Sequence, residues 1–275
     1  MSDARIQIEI DSAGIADVKL TRGDKMNAVD TAMFVEVAEA GRNLARDKAL
    51  RAVVLSGEGR AFCAGLDTGN FAGMAGGGSD VEGANAGFSA FRIEPGEAAN
   101  AAQEFAWVWH DLPVPVIAAV HGVCFGAGLQ LALAADIRFV TPDAKLSILE
   151  MKWGLIPDVT GTQTLRHLLP LDVIKELTYT ARILSGTEAA HLGLATHVSE
   201  IPHEAAHELA REIATRSPTA VRAAKQLLDA SVVGRTDDGL RNEAALQRKL
   251  IGSPNQIEAV MSNLQKRPAE FNDPE

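Results

Sequence analysis

Ile6, Ile8 and Ile10 alternate with polar residues, the period-two signature of a half-buried strand. Ser12-Ala13-Gly14 turns the chain, and residues 15–20 read as a second strand, so the protein opens on a hairpin. Asp30 and Thr31 begin a long amphipathic stretch to about Asp47, with Met33, Val37 and Leu44 on one side. Ala52-Val53-Val54-Leu55 is a short apolar run closed by Ser56-Gly57-Glu58-Gly59, the pattern of a fully buried strand. Strand, helix and strand in that order predict parallel pairing with a right-handed crossover.

Residues 113–120 predict another buried strand, broken by the glycine-bearing segment 122–128. Leu129-Gln130-Leu131-Ala132-Leu133-Ala134-Ala135 is a helix former with no charge, and a helix without a charged face must be buried. Residues 137–140 return as a strand. Beyond Leu169 helical periodicity dominates, with helices expected at 187–192, 203–216, 219–231 and 254–264. Strands first and helices last give an α/β core, residues 1–199, followed by a helical region, residues 200–275. Between Gly69 and Asn100 the pattern dissolves into Gly, Ala, Asn and acids. Such a stretch reads either as a mobile lid beside a pocket or as plain disorder.

Composition narrows the function classes. The 275 residues are 47% hydrophobic and only 5% aromatic, so the core must be built from Ala, Val, Ile and Leu. A net charge of -10 argues against nucleic acid and anionic membrane as partners. No apolar run reaches the 18 or so residues a membrane helix needs, and no N-terminal targeting pattern is present, so a cytoplasmic setting is expected. Two cysteines, Cys63 and Cys124, make no disulfide framework. The histidines are read as structural and no metal is expected.

Two segments place glycines where backbone approaches something closely: Phe62-Cys63-Ala64-Gly65-Leu66-Asp67, and Gly126-Ala127-Gly128 at the entry to the uncharged helix. Amides at such turns lack intrahelical partners and carry partial positive charge. Two turns facing one another would make an oxyanion hole, whereas glycines alone more often mark ordinary strand-to-helix turns. Glu150 and Asp158 flank the apolar loop Met151-Lys152-Trp153-Gly154-Leu155-Ile156-Pro157. Acids in such surroundings are desolvated toward general-base pKa values if they face inward, and are plain rim carboxylates if they face water.

Cys63-Ala64-Gly65-Leu66-Asp67, Val120-His121-Gly122 through Ala132, Gly154-Leu155-Ile156-Pro157, Asn27-Ala28 and Leu184 to Leu194 follow one another in the order and spacing of the crotonase (enoyl-CoA hydratase/isomerase) superfamily, which the chain resembles over nearly its whole length. The resemblance implies a spiral of ββα repeats with a C-terminal helical trimerisation region. It implies a homotrimer or dimer of trimers acting on an acyl-CoA thioester, without a separate cofactor. It assigns the oxyanion amides to Leu66 and Ala127, CoA contacts to Lys25, Ala28, Ala64 and Asp67, and pocket positions to Gln130 and Trp153. CoA phosphates would meet Arg22, Lys25, Lys266 or Arg267.

Hydratases of this family hold one water between two glutamates. Here Glu150 is present, but the other position is Gln130, which cannot take a proton. Asp158, where hydratases carry glycine, resembles the dienoyl-CoA isomerases, although those also bear an aspartate at the Gln130 position. Double-bond isomerisation by Glu150 and Asp158 is therefore the expected reaction. A single-base 3-to-2 isomerase, a 2-enoyl-CoA hydratase and a non-catalytic acyl-CoA-binding protein are the alternatives. An aryl-CoA dehalogenase is disfavoured, because those enzymes carry tryptophan where this chain has Glu150.

Overall fold

A computed structural model describes residues 4–67, 93, 96 and 98–274 of the chain. The expected hairpin forms from β1 (Ile6–Ile10) and β2 (Ile15–Leu20), paired antiparallel with Ile8 opposite Val18. Asp11 shapes its turn: Oδ1 accepts from the amides of Ala13 and Ile15 at 2.9 Å each. Asp30 caps α1 (Thr31–Leu44) by accepting from the Met33 amide, and the chain returns as β3 (Ala52–Gly57). After α2 (Ala101–His110) come β4 (Val116–Val120), β5 (Val123–Phe125), α3 (Ala127–Leu133), β6 (Ile137–Val140) and β7 (Lys145–Ser147). Then follow α4 (Gly161–Leu165), α5 (Leu171–Thr180), β8 (Leu184–Ser185), α6 (Gly186–Leu192) and β9 (His197–Val198). Four further helices complete the chain: α7 (Pro202–Ala214), α8 (Pro218–Val233), α9 (Thr236–Leu250) and α10 (Pro254–Gln265).

The larger sheet runs β1-β2-β3-β4-β6-β9, parallel except for β1; the smaller is β5-β7-β8. Its central strands are covered on both faces, which explains their unbroken apolar runs. Ala16, Val18, Val53, Leu55, Val116, Ala118 and Val120 face one way, into the main core with α1 and α2. There Phe34 meets Phe105 edge-on, with ring centroids 5.3 Å apart. Ile15, Ala52, Val54, Ile117 and Ala119 face the other way, against Ala206 and Ala210 of α7. The period of two in the strands thus decides which residues meet which helix layer.

The uncharged helix is buried as expected, every residue from Ala127 to Leu133. Several elements went unread in the sequence, and three of them show why. The glycine-flanked β5 is only three residues long, too short for periodicity to register. The α2 helix follows the featureless stretch and announces itself through its cap: Asn100 accepts from the Gln103 amide while the Gln103 side chain accepts from the Asn100 amide. The α9 helix buries only Leu246 and so lacks an apolar stripe. The lid expected at 69–100 falls almost wholly outside the described residues.

The two glycine turns make direct backbone contact. Cys63 N–H donates to the Val123 carbonyl and Phe125 N–H to the Cys63 carbonyl, each at 3.0 Å. At Gly128 a Cβ would lie 2.5 Å from the Cys63 carbonyl oxygen and 2.6 Å from its Cβ. Gly128→Ala should therefore destabilise the fold by about 1–3 kcal/mol. In thermal denaturation this appears as a fall in Tm of at least several degrees; an unchanged Tm would show that the contact yields without strain.

Candidate active site

The turns and the loop after β7 enclose a cavity of about 500 Å³. Lys25 and Ala28 line it from the loop before α1, Ala64, Leu66 and Asp67 from the turn after β3, Ala127 from the start of α3, and Glu150, Trp153 and Asp158 from the loop beyond β7. Of the residues expected at the site, Gln130 is not on its wall, nor are Arg22, Lys266 and Arg267.

The two turns bring Leu66 and Ala127 to the wall of the same cavity. Val29 N–H donates to the Gly65 carbonyl at 2.8 Å and accepts, through its own carbonyl, from Asp67 N–H at 3.0 Å. In a parallel bridge of this kind the residue between, Leu66, turns its own N–H away from the partner strand. Ala127 is the first residue of α3, whose N–H has no carbonyl one turn back. Gly126, at φ 53° and ψ -124°, occupies a conformation that only glycine adopts readily, and it delivers the chain into the helix. A Cβ on Gly65 would lie 2.7 Å from the Phe125 carbonyl oxygen and 3.7 Å from Ala127 N, which measures how near the turns are. Among the described residues, neither the Leu66 nor the Ala127 amide donates a hydrogen bond.

Glu150 opens a 3-10 turn, Glu150–Trp153, and is 9% exposed. Its Oε1 accepts from Gln130 Nε2 at 2.5 Å, and its Oε2 is buried with no hydrogen-bond partner among the described residues. Burial pushes its pKa up to about 7, and the nearby Asp158 charge adds to the rise; hydrogen bonds from its own amide and from Gln130 oppose it. Partial burial of the Asp158 carboxyl likewise pushes its pKa above the ordinary carboxylate value, although the residue as a whole is exposed on the cavity wall. Glu150 can therefore take and return a proton near neutral pH, and Asp158, on the same cavity, holds a proton more firmly than an ordinary carboxylate.

Gln130 corrects the expectation of a pocket residue. It is 2% exposed and sits behind Glu150, donating to it while its Oε1 accepts from Gly161 N–H at 2.8 Å. It positions the acid rather than touching the cavity. Arg22 is a second correction. Its guanidinium is held by Asp67 at 2.5 Å and Asp30 at 3.6 Å, so it is committed within the protein. Arg267 is likewise engaged, bidentate on Glu258, and Lys266 adopts the left-handed conformation that ends α10. Lys25 lines the cavity and makes no ion pair among the described residues. Trp153 stands on the rim, 47% exposed.

A structural role absent from the sequence reading belongs to Asn27. Its fully buried side chain accepts from Arg22 N–H and donates to the carbonyls of Glu58, Ala61 and Phe62. Burial raises the Cys63 thiol to about 12, so it stays protonated and donates to the Asn27 carbonyl at 3.0 Å. The Lys25 loop and the Leu66 turn are thereby one unit. The signal lay in the Met26-Asn27 pair, both with positive φ, a conformation asparagine tolerates better than most residues.

The sequence matches the enoyl-CoA hydratase/isomerase family profile over residues 11–274. Human mitochondrial methylglutaconyl-CoA hydratase is 32% identical, across 96% of this chain and 75% of its own length. Rat mitochondrial Δ(3,5)-Δ(2,4)-dienoyl-CoA isomerase is 31% identical, across 95% of this chain and 80% of its own. Among solved structures, the enoyl-CoA hydratase of Bacillus anthracis superposes with a TM-score of 0.85 at 28% identity, covering 97% of this chain and 98% of that one. With its layered sheet, its paired glycine turns and a family match spanning nearly every residue, the chain belongs to the enoyl-CoA hydratase/isomerase family and carries the crotonase fold.

Proposed function

We propose that this chain isomerises double bonds of enoyl- or 3,5-dienoyl-CoA thioesters. The observation that carries this reading is the set of acids: Glu150 and Asp158 share one cavity, while Gln130, where a hydratase would need its second glutamate, is spent holding Glu150. The thioester oxygen sits between the Leu66 and Ala127 amides, each worth about 3–4 kcal/mol as negative charge develops there. Glu150 takes a proton from the carbon next to the carbonyl. The electron pair spreads through the dienolate, and Asp158 returns a proton at the far end of the conjugated system. Protons and electrons balance without a metal or redox group. Asp158 also borders an adjoining groove of about 1410 Å³, which suits an acid serving a distal carbon of the acyl chain. Lys25 is the cation nearest to hand for the CoA phosphates.

Hydration of a 2-enoyl-CoA is the second reading, favoured by the likeness to methylglutaconyl-CoA hydratase. It would require Asp158 to serve as the second acid for water. The proposal extends to assembly as a homotrimer or dimer of trimers, because the C-terminal helices leave Leu228, Leu240, Ile257 and Leu264 more than half exposed.

Ultraviolet assays separate the reactions. With a 3,5-dienoyl-CoA the protein should generate a long-wavelength conjugated band; bleaching of a 2-enoyl-CoA with no action on the dienoyl substrate would replace isomerase by hydratase. Glu150→Gln should lower kcat by about 10²–10⁴-fold while thioester binding persists. Activity should rise with pH through about 7 as Glu150 becomes a base. The stability sign runs the other way. A carboxyl whose pKa goes from 4.5 unfolded to about 7 folded takes up a proton on folding, so its contribution falls as pH rises across that window. Glu150→Gln should therefore be more stable than the parent above pH 7, by up to about 3 kcal/mol in urea unfolding. A less stable variant there would refute the buried-charge account. In sedimentation, a monomer at micromolar concentration would overturn the assembly.

A further inference from the structure

His203 and His207 lie one turn apart near the start of α7, in the run His203-Glu204-Ala205-Ala206-His207. Positions four apart on a helix share a face, and the two rings stand 4.6 Å apart between centroids. Both Nε2 atoms meet the carboxylate of Asp17 on β2: His203 at 3.1 and 3.2 Å from its two oxygens, His207 at 3.7 Å from one. One donor atom from each of the three residues lies within 4.8 Å of the others. None of the three lines the catalytic cavity.

We propose that Asp17, His203 and His207 form a binding site for a divalent transition-metal ion of the zinc class. Two imidazole nitrogens and one carboxylate oxygen suit Zn²⁺, Co²⁺, Ni²⁺ or Cu²⁺, whereas Mg²⁺ and Ca²⁺ prefer all-oxygen shells. A histidine pair spaced i, i+4 is the arrangement by which helices hold zinc. The site is built on rigid elements. Strand alternation puts Asp17 on the same sheet face as Ile15, and fully buried Ala206 and Ala210 seat α7 on that face. It is also open: the side chains of His203, Asp17 and His207 are 38%, 23% and 16% exposed, so an ion can enter from solvent and keep water in its remaining position. Bonds of about 2.0–2.2 Å to one tetrahedral ion set donors roughly 3.4 Å apart, close to the 3.1 and 3.7 Å that already separate Asp17 from the two imidazoles, so side-chain rotation suffices to close the shell. Lys19 and Arg211 bring positive charge to the cluster and Glu204 negative charge, so the carboxylate of Asp17 carries much of the neutralisation. A bound ion would fasten α7 to β2, elements far apart in sequence.

The test uses untagged full-length protein, stripped with EDTA and titrated with Zn²⁺ against a chromophoric indicator. The parent should bind one zinc tightly and show a higher Tm with it. His207→Gln keeps the Asp17–His203 hydrogen bond, so the helix should still dock. It should lose at least about tenfold in zinc affinity, the scale that even outer-sphere changes produce, together with the rise in Tm. Cobalt should give visible d–d absorption in the parent and none in His207→Gln. Absence of saturable zinc binding by the parent, or parent-like affinity in both His207→Gln and Asp17→Asn, would overturn the site.

Discussion

The site depends on one contact: the backbone at Cys63 pressed against the backbone from Val123 to Gly128. Two main-chain hydrogen bonds join the segments, and at Gly128 and Gly65 no side chain would fit between them. This closeness is what sets the Leu66 and Ala127 amides on one cavity. A buried network backs it, with Asn27 tying the loop before α1 to carbonyls 58, 61 and 62. Breaking one member leaves buried polar groups unpaired, so position and stability are carried by the same bonds.

Glu150 shows the opposing demand. A carboxyl 9% exposed, with one oxygen lacking any partner among the described residues, is an expensive thing to fold. Gln130 relieves part of this by donating to the other oxygen, and Gly161 N–H in turn fixes which way Gln130 points. The same burial that weakens the fold lifts the pKa to about 7, where a carboxyl exchanges protons readily at neutral pH. Local instability and chemical competence have a single cause here.

Much of this was legible in the chain. Unbroken apolar runs in β3 and β4 marked those strands, because burial on both faces writes itself directly into the pattern; β1 forms where alternation placed it, but its expected half-burial fails, with Ile8 and Ile10 exposed. The glycine turns and the acids around the 151–157 loop pointed to the cavity. What stayed hidden depends on contacts between distant elements. Gln130 lies behind Glu150 because α3 and the loop after β7 pack that way, and Arg22 is bound by Asp67 and Asp30 across a loop. Asp17 and His203 are 186 positions apart, so no local spacing could join them, although the histidine pair itself stood in plain sight at helical spacing. The α9 helix, with Leu246 its one buried residue, carries no stripe to read.

The amides of Leu66 and Ala127 are main-chain atoms, and this divides the site's heredity in two. A point mutation can change or remove the carboxyl at 150 or 158 or the amide at 130. None can delete a backbone N–H except a change to proline. The donors proposed to hold a thioester oxygen therefore survive almost any side-chain change at 66 and 127, although their placement still rests on Gly65 and Gly128, while the part that chooses where protons go is freely editable. A lineage built on this scaffold can exchange one reaction for another without losing, at any step, its grip on the substrate.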